Sequence, residues 1–279
     1  VTDLLEVSPA SEWCQRWETG RHTWRHRSDG GFDPARFTVD VIADDTTAKG
    51  YILDHHYSGS YPSAKLRYGL YTDGHLVGVC VLGFPPSRGV LTNPFPGLEP
   101  YVESVELSRL VLADACPANS ETWFITRCFD DAALRGIRGV VSFADPVPRR
   151  VAGDVVFPGH VGIIYQARNA IYTGRGTART LTLLPDGTVL NDRAQQKVRA
   201  QERGHRHVEE RLIRLGAPVP RAGQHPAAWL TEALTAVGAT RVRHRGNHRY
   251  CFTLGTRAQR RRVELALPAS PYPKRRDAA

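Results

Sequence analysis

The sequence predicts an α/β (α+β) protein: a mixed central sheet with flanking helices, followed by a basic helix-and-hairpin extension. Three observations predict it. Strand-like and helix-like stretches alternate along residues 37–190 instead of segregating, and Thr72-Asp73-Gly74 joins two of the strand-like stretches as a hairpin. The charge is also split. Residues 191–279 hold 19 Lys+Arg against 7 Asp+Glu, a net of +12, whereas residues 1–190 hold 18 against 21, a net of −3.

Residues 1–36 are polar and aromatic, with Trp13, Trp17 and Trp24, and close on Asp29-Gly30-Gly31-Phe32-Asp33-Pro34; they form an N-terminal extension. The main folded domain is expected over 37–190. Phe37–Ile42 alternates as a strand does, and Asp45–Asp54 is a short helix opened by the Asp44-Asp45 cap. Tyr68–Tyr71 and Leu76–Leu82 are the hairpin strands. Phe84–Pro100 holds five prolines and is a loop. Val102–Leu112 is a strand, and Asn119 or Ser120 caps a helix running to about Leu134, with Glu121 well placed in its first turn. Gly139–Ala144 is a short apolar strand, His160–Arg168 a helix, and Ala170–Thr173 and Thr180–Leu190 strands, the last broken at Pro185-Asp186-Gly187. The basic region, 191–279, begins with a long helix over Arg193–Leu215. After the proline-rich break Pro218–Pro226 comes a helix over Ala227–Ala236. Thr240–His244 and Arg249–Leu254 then flank Arg245-Gly246-Asn247-His248 as a hairpin.

With 279 residues, 41% hydrophobic and 23% charged, the chain can bury a core, and wholesale disorder is excluded. No apolar run approaches the roughly 18–20 residues that cross a bilayer, and Val1–Glu6 lacks the basic start of a signal peptide, so a soluble cytoplasmic protein is expected. The five cysteines are odd in number and scattered, which argues for buried free thiols over disulfides or a zinc ribbon. The basic third points to a polyanion, nucleic acid first, or else to a solvated basic surface.

No P-loop, G-x-G-x-x-G, H-E-x-x-H or G-x-S-x-G motif occurs, which sets aside Walker-type phosphoryl transfer and nicotinamide chemistry. Two places carry reactive side chains. His55-His56-Tyr57-Ser58-Gly59-Ser60-Tyr61-Pro62 offers a general base or a metal ligand, or is a turn whose aromatics pack on the core. The second place is a pair of helix starts after neighbouring strands. The helix entered at Asn119-Ser120 presents free N–H groups that suit a phosphate. Beyond Asp145, Gly159-His160-Val161-Gly162 opens the helix carrying Tyr165, so Asp145 and Tyr165 are expected in one cleft; an Asp in that place also serves as a plain helix cap. His56, Tyr57 and Asp145 form a hard nitrogen and oxygen set that suits iron rather than structural zinc.

This order of strand, anion-cradling helix, strand and tyrosine-bearing helix resembles the GNAT acyltransferases, in which two parallel strands splay and an acyl-CoA arm fills the gap. The resemblance implies a GNAT-like mixed sheet, with Val105–Val111, including Leu110 and Val111, along the pantetheine arm. It also implies Asn119 and Ser120 at the pyrophosphate and Tyr165 as the acid toward the departing thiolate. Where that family has Q/R-x-x-G-x-G/A, this chain has Ala113-Asp114-Ala115-Cys116-Pro117-Ala118-Asn119-Ser120. A longer series is similar to the bacteriophage Mom family: His55 to Pro62, Glu106-Leu107-Ser108-Arg109-Leu110-Val111, Ser142-Phe143-Ala144-Asp145, Gly159 to Asn169, His248-Arg249-Tyr250 and Tyr272-Pro273-Lys274. It runs from about Trp24 to the C-terminal end, with Pro146–Pro158 longer than the family pattern.

Mom proteins convert adenine in phage DNA to an N6-carbamoylmethyl derivative that protects it from host restriction. The resemblance therefore implies a DNA-modifying transferase with His56, Tyr57, Asp145 and Tyr165 catalytic and acetyl-CoA as ligand. It implies iron on His56, Tyr57 and Asp145. DNA is the implied partner, with Arg243, Arg245, His248, Arg249 and Tyr250, and Arg260–Arg262, expected on the binding surface. An ordinary GNAT enzyme acetylating a small-molecule or protein amine would explain the body but not the basic tail. An inactive GNAT-derived DNA-binding protein would explain the tail but not the reactive set.

Overall fold

The computed structural model describes residues 13–18, 21–26, 32–56, 58–117, 119–151, 154–157 and 159–274. Trp13–Glu18 (β1) and Arg21–His26 (β2) pair antiparallel. Phe37–Val41 (β3) leads to helix Asp45–His55 (α1), and Asp44 caps it by accepting from Thr46 N at 2.7 Å and Thr47 N at 3.1 Å. Ala64–Thr72 (β4) and His75–Gly83 (β5) form the expected hairpin, with Asp73 and Gly74 at φ 50° and 78°. The prolines keep residues 84–100 out of the sheet, yet one helical turn forms at Gly89–Thr92 (α2). Ser104–Leu112 (β6), Ser120–Leu134 (α3) and Gly139–Ala144 (β7) follow, then the hairpin Arg149–Val151 (β8) and Asp154–Phe157 (β9). Next come Ile163–Ala167 (α4), Ile171–Arg175 (β10), Arg179–Leu183 (β11) and Val189–Leu190 (β12). The chain continues through helices Asp192–Arg199 (α5), His205–Arg214 (α6) and Pro226–Ala236 (α7), strands Thr240–His244 (β13) and His248–Thr253 (β14), and helix Arg257–Arg262 (α8).

The chain divides into two compact units, 1–147 with 158–175 and 247–279, and 148–157 with 176–246. The division therefore falls elsewhere than at the 190/191 boundary read from charge: the last stretch belongs with the sheet, and the second unit begins before the basic region. In the first unit seven strands order as β10-β14-β7-β6-β5-β4-β3, with β6 and β7 parallel and every other pair antiparallel. Helix α3 buries Phe124, Ile125, Cys128, Phe129 and Ala132 against one face, where Tyr68, Leu70, Leu82, Leu107 and Val140 meet it. Helix α1 buries Ala48 and Ile52 against Val79 and Val81 on the other. Apolar surface removed from water at these two interfaces stabilises the unit at roughly 25 cal/mol per Å². Cys80, Cys116, Cys128 and Cys251 are buried free thiols, as the sequence predicts.

Three sequence expectations change. Thr240–His244 and Arg249–Leu254 do not pair with each other: β13 pairs with β11, whereas β14 lies between β10 and β7. The reason is burial. Tyr250, Cys251 and Phe252 are all buried, as a central strand requires, while β13 exposes Arg241 and Arg243. The helix expected over Arg193–Leu215 breaks into α5 and α6, where Gln201 (φ 51°) and Gly204 (φ 90°) turn left-handed. Only Ile163–Ala167 of His160–Arg168 is helical, because Gly162 stands at φ 78°.

In the second unit, β12, β11 and β13 make an antiparallel sheet in that order. Helices α5, α6 and α7 close around Val198, Leu212, Trp229, Leu230 and Ala233. The Trp229 indole N–H donates to Pro218 O at 2.8 Å, so the buried ring leaves no unmet donor. No helix among the described residues is long and apolar enough to cross a membrane.

Candidate active site

The parallel strands β6 and β7 are paired only from Ser104/Gly139 to Leu107/Ser142. Beyond that point they part, although β6 runs on to Leu112 and β7 to Ala144. The cause is local. On its other side β6 pairs Val81 with Arg109 and Leu82 with Leu107, so Ser108 is an extra residue, a bulge that bends the strand. A wedge opens there, and among the described residues the β7-facing edge of Ser108–Leu112 has no ladder partner. Leu110 and Val111 lie on this stretch, partly buried on opposite faces, against the α3-side and α1-side cores respectively.

Reactive side chains gather at the mouth of the wedge. Arg109 donates from Nε to Ser60 O at 3.0 Å and from Nη2 to Ser60 Oγ at 2.8 Å, which ties the His56–Ser60 turn to β6. Within that turn His56 Nδ1 accepts the Ser58 backbone N–H at 3.1 Å. That bond fixes the tautomer, so the proton of the neutral ring is on Nε2, which is a donor. Burial, helped by the positive charge of Arg109 and by His160, lowers the His56 pKa to about 3, so the ring is neutral at physiological pH.

His160 is likewise held neutral, with burial lowering its pKa to about 4 against the opposing pull of Asp145. The His160 backbone N–H donates to Asp145 O at 2.8 Å, and its ring centroid lies 6.5 Å from that of Tyr165. Asp145 and Tyr165 thus share one cluster, bridged by His160. Asp145 Oδ1 also accepts from Val147 N at 3.0 Å, an Asx turn that shapes the strand exit. Burial pushes the Tyr165 phenol up, while hydrogen bonding with the Ser142 side chain works the other way. Glu106, singled out above only as part of a motif, is the group that residue-type reasoning missed. Burial raises its carboxyl to about 7, with Arg109 opposing. A glutamate inside an apolar strand was the available signal.

Other expected residues have structural duties. Ser120 is fully buried and donates to Pro117 O at 2.6 Å, so its hydroxyl is committed within the loop; Asn119 is exposed at φ 73°. His248 is 1% exposed and shares a 2.8 Å hydrogen bond with the Tyr172 hydroxyl. Tyr250 is 0% exposed, and Arg249 holds Thr173 through Oγ1 at 2.9 Å and O at 3.0 Å. His248 and Tyr250 thus lie inside the sheet, a consequence of β14 being a central strand, and the half-buried Arg249 is engaged with Thr173. Arg243 and Arg245 are exposed.

Iron has no support among the described donors. Among the described residues no three His, Cys, Asp or Glu side chains are grouped to hold an ion, and the Nδ1 of His56 is taken by the Ser58 backbone N–H. Tyr57 lies outside the described residues.

Several solved structures overlap loosely with the chain. A Bacillus subtilis acetyltransferase in complex with CoA is 9% identical, covering 78% of this chain and 99% of that one at a TM-score of 0.36. The IAA acetyltransferase from Bacillus cereus is 12% identical with the same coverage of 78% and 99% and a TM-score of 0.34. A GNAT family acetyltransferase from Elizabethkingia anophelis with acetyl-CoA bound is 10% identical, again covering 78% and 99%, at a TM-score of 0.31. Nothing about this chain's ligands follows from such distant likenesses. No curated protein sequence matches it. The model of the Mom protein family, in contrast, matches residues 36–274, from the start of the central sheet through the wedge and the second unit to the Tyr272-Pro273-Lys274 end, and the chain belongs to that family.

Proposed function

We propose that this chain is a DNA-modifying transferase. It uses an acyl-CoA, acetyl-CoA above all, and builds a carbamoylmethyl group on the N6 amine of adenine in phage DNA, shielding that DNA from host restriction. The observation that supports the reading is the wedge between β6 and β7, to whose open strand Arg109 ties the His56–Ser60 turn. His56, Glu106 and Tyr165 are the titratable groups that burial holds neutral or shifts upward around it. The pantetheine arm lies along the unpaired edge of Ser108–Leu112, with its amides taking the hydrogen bonds a neighbouring strand would take.

The adenine amine is a weak nucleophile because its lone pair is delocalised into the ring, so it must lose a proton as the new bond forms. Glu106 accepts that proton, His56 Nε2–H donates to the thioester oxygen, and Tyr165 protonates the departing sulfur. In that acyl-transfer step N6 bonds to the thioester carbonyl carbon, C–S breaks, and one proton is taken while another is given, so the step by itself yields an N6-acyl adenine. Asp145 and its Val147 turn position His160 behind them, and Tyr57 keeps the catalytic part the family resemblance gives it. The carbamoylmethyl group is instead joined to N6 through its methylene carbon. That product takes an ammonia-level nitrogen donor and a two-electron oxidant of the acyl methyl carbon as co-reactants from outside the chain. The residue roles above are those of the acyl-transfer step.

The base must leave the duplex to reach this site, at a cost of a few kcal/mol that backbone contacts offset. Arg241, Arg243 and Arg245 alternate at the end of the second unit's sheet, all exposed, with Val242 and His244 turned the other way. Elsewhere in that unit, by comparison, Arg193 is paired with Glu202, Arg211 with Asp186 and Arg221 with Glu232. An arginine ladder with no ion pair to a carboxylate among the described residues suits phosphates.

The test is mass spectrometry of nucleosides from plasmid DNA of cells expressing the chain or its Tyr165→Phe variant. A deoxyadenosine carrying the carbamoylmethyl mass, absent with the variant, is the expected result. An acetylated nucleoside would reduce the reading to plain acetyl transfer, and unchanged DNA would overturn it.

A further inference from the structure

Three stretches that the sequence singled out, Gly159–Asn169, His248–Tyr250 and Tyr272–Lys274, meet at one side-chain amide. Gln166 Nε2 lies 3.0 Å from the Tyr250 hydroxyl, 3.1 Å from Val161 O and 3.3 Å from Pro273 O. The Tyr250 hydroxyl in turn donates to Val161 O. An amide has two N–H donors, so the three acceptors share them, and each of the three chain segments is held by the same group.

The segment carrying Pro273 is strapped across the first unit. Val263 and Leu265 pack with Leu91, Phe95, Val141 and Cys251. Ala266 N donates to Pro94 O at 3.0 Å, Ser270 N to Tyr172 O at 2.8 Å, and the Tyr272 hydroxyl to Ala170 O at 2.7 Å. Pro273 is buried at the end of this path.

Helix α4 needs such a hold. It has five residues, and an isolated helix that short does not persist in water. Its one internal aim is the direction of Tyr165, whose ring packs 5.3 Å from Tyr250 and 6.3 Å from Phe252, centroid to centroid. Gly162 opens it at φ 78°, where a β-carbon would stand 2.6 Å from the Tyr250 ring. The helix is therefore braced at its start by Tyr250 and, one residue past Tyr165, by Gln166.

We infer that Gln166 is a positioning residue, and that with Tyr250 and the C-terminal strap 266–274 it forms a clamp that aims the Tyr165 hydroxyl into the wedge. The clamp gives the C-terminal end of the chain a part in the active site without its touching substrate. Only the activity arm of the test rests on the function proposed above.

The variants are Gln166→Leu, Tyr250→Phe and the double variant, each in the full chain. Amide hydrogen exchange is read at Tyr165, Gln166 and Arg168, with α3 as the internal reference. Exchange at the three α4 amides is expected to quicken by about tenfold or more with α3 unchanged. In DNA modification, kcat is expected to fall about tenfold or more while KM for acetyl-CoA stays within about twofold. The double variant is expected to be no worse than the poorer single one, because the two groups act as a unit. Unchanged exchange at α4, or quickened exchange with wild-type kcat, overturns the inference, as does a loss of kcat matched by faster exchange throughout α3. If the wild-type chain modifies no DNA, the function proposed above fails, and the exchange arm alone decides the clamp.

Discussion

Replacing Glu106 with Gln separates what this carboxyl does for the reaction from what it costs the fold. Burial raises its pKa from the ordinary 4.5 to about 7, against the attraction of Arg109. In the unfolded chain the group ionises near the ordinary value. Between the two pKa values the native state therefore holds a proton that the unfolded state has lost. The stability this contributes is fully present below pH 4.5 and gone once the pH passes 7. At about 1.36 kcal/mol per pH unit the difference is about 3 kcal/mol at most. Glutamine keeps the shape and cannot ionise, so Glu106→Gln should gain up to about 3 kcal/mol on the wild type between pH 4 and pH 8. Urea unfolding followed by tryptophan fluorescence at pH 4, 6 and 8 measures it. Over the same range wild-type kcat should rise as the proton acceptor is freed, and the variant should lose about 10²–10⁴ in rate. A stability difference that is flat with pH, or a variant with wild-type rate, would refute both the buried placement of the carboxyl and its role as acceptor.

Four further outcomes are expected. His160→Gln should weaken the loss of stability as pH falls from 6.5 toward 4, because the wild-type ring stays neutral in the fold while it takes a proton in the unfolded chain; acid titration by circular dichroism measures this. Gly162→Ala should cost at least about 2 kcal/mol in urea unfolding, since it adds a strained left-handed alanine to a contact with Tyr250. Tyr165→Phe should lower kcat by about a hundredfold with little change in stability, and the loss should shrink with an acyl donor whose leaving group needs no proton. Changing Arg241, Arg243 and Arg245 together to Gln should reduce the slope of log K for DNA against log salt by about 2.7, three phosphate contacts' worth; an unchanged slope would remove the ladder from the interface.

Local signals predict element types soundly where caps and turns carry the information. Asp44, the Asp73-Gly74 turn and the run Gly139–Ala144 stand in the structure as read. What failed was long-range. Nothing between Arg249 and Leu254 says that this strand slots beside one made more than a hundred residues earlier, so Tyr250 and His248 looked like surface groups in a basic tail. The charge boundary misled for the same reason, because composition does not report which sheet a strand joins. In the site, motif resemblance led to His56, Asp145 and Tyr165. The tautomer of His56 and the acidity of Glu106 depend on burial and on a single backbone N–H from Ser58, which no spacing rule encodes.

The position of β14 also sets a timetable. Among the described residues β10 reaches the sheet only through β14, and the exposed flank of β7 is covered by that same strand. On the ribosome the first unit therefore waits, with a hydrogen-bonding edge open, until the whole inserted unit and some 250 residues have been made. A chain that stops early, by nonsense mutation or stalled translation, presents that edge to its neighbours. Such fragments are expected to aggregate instead of yielding a weakly active enzyme.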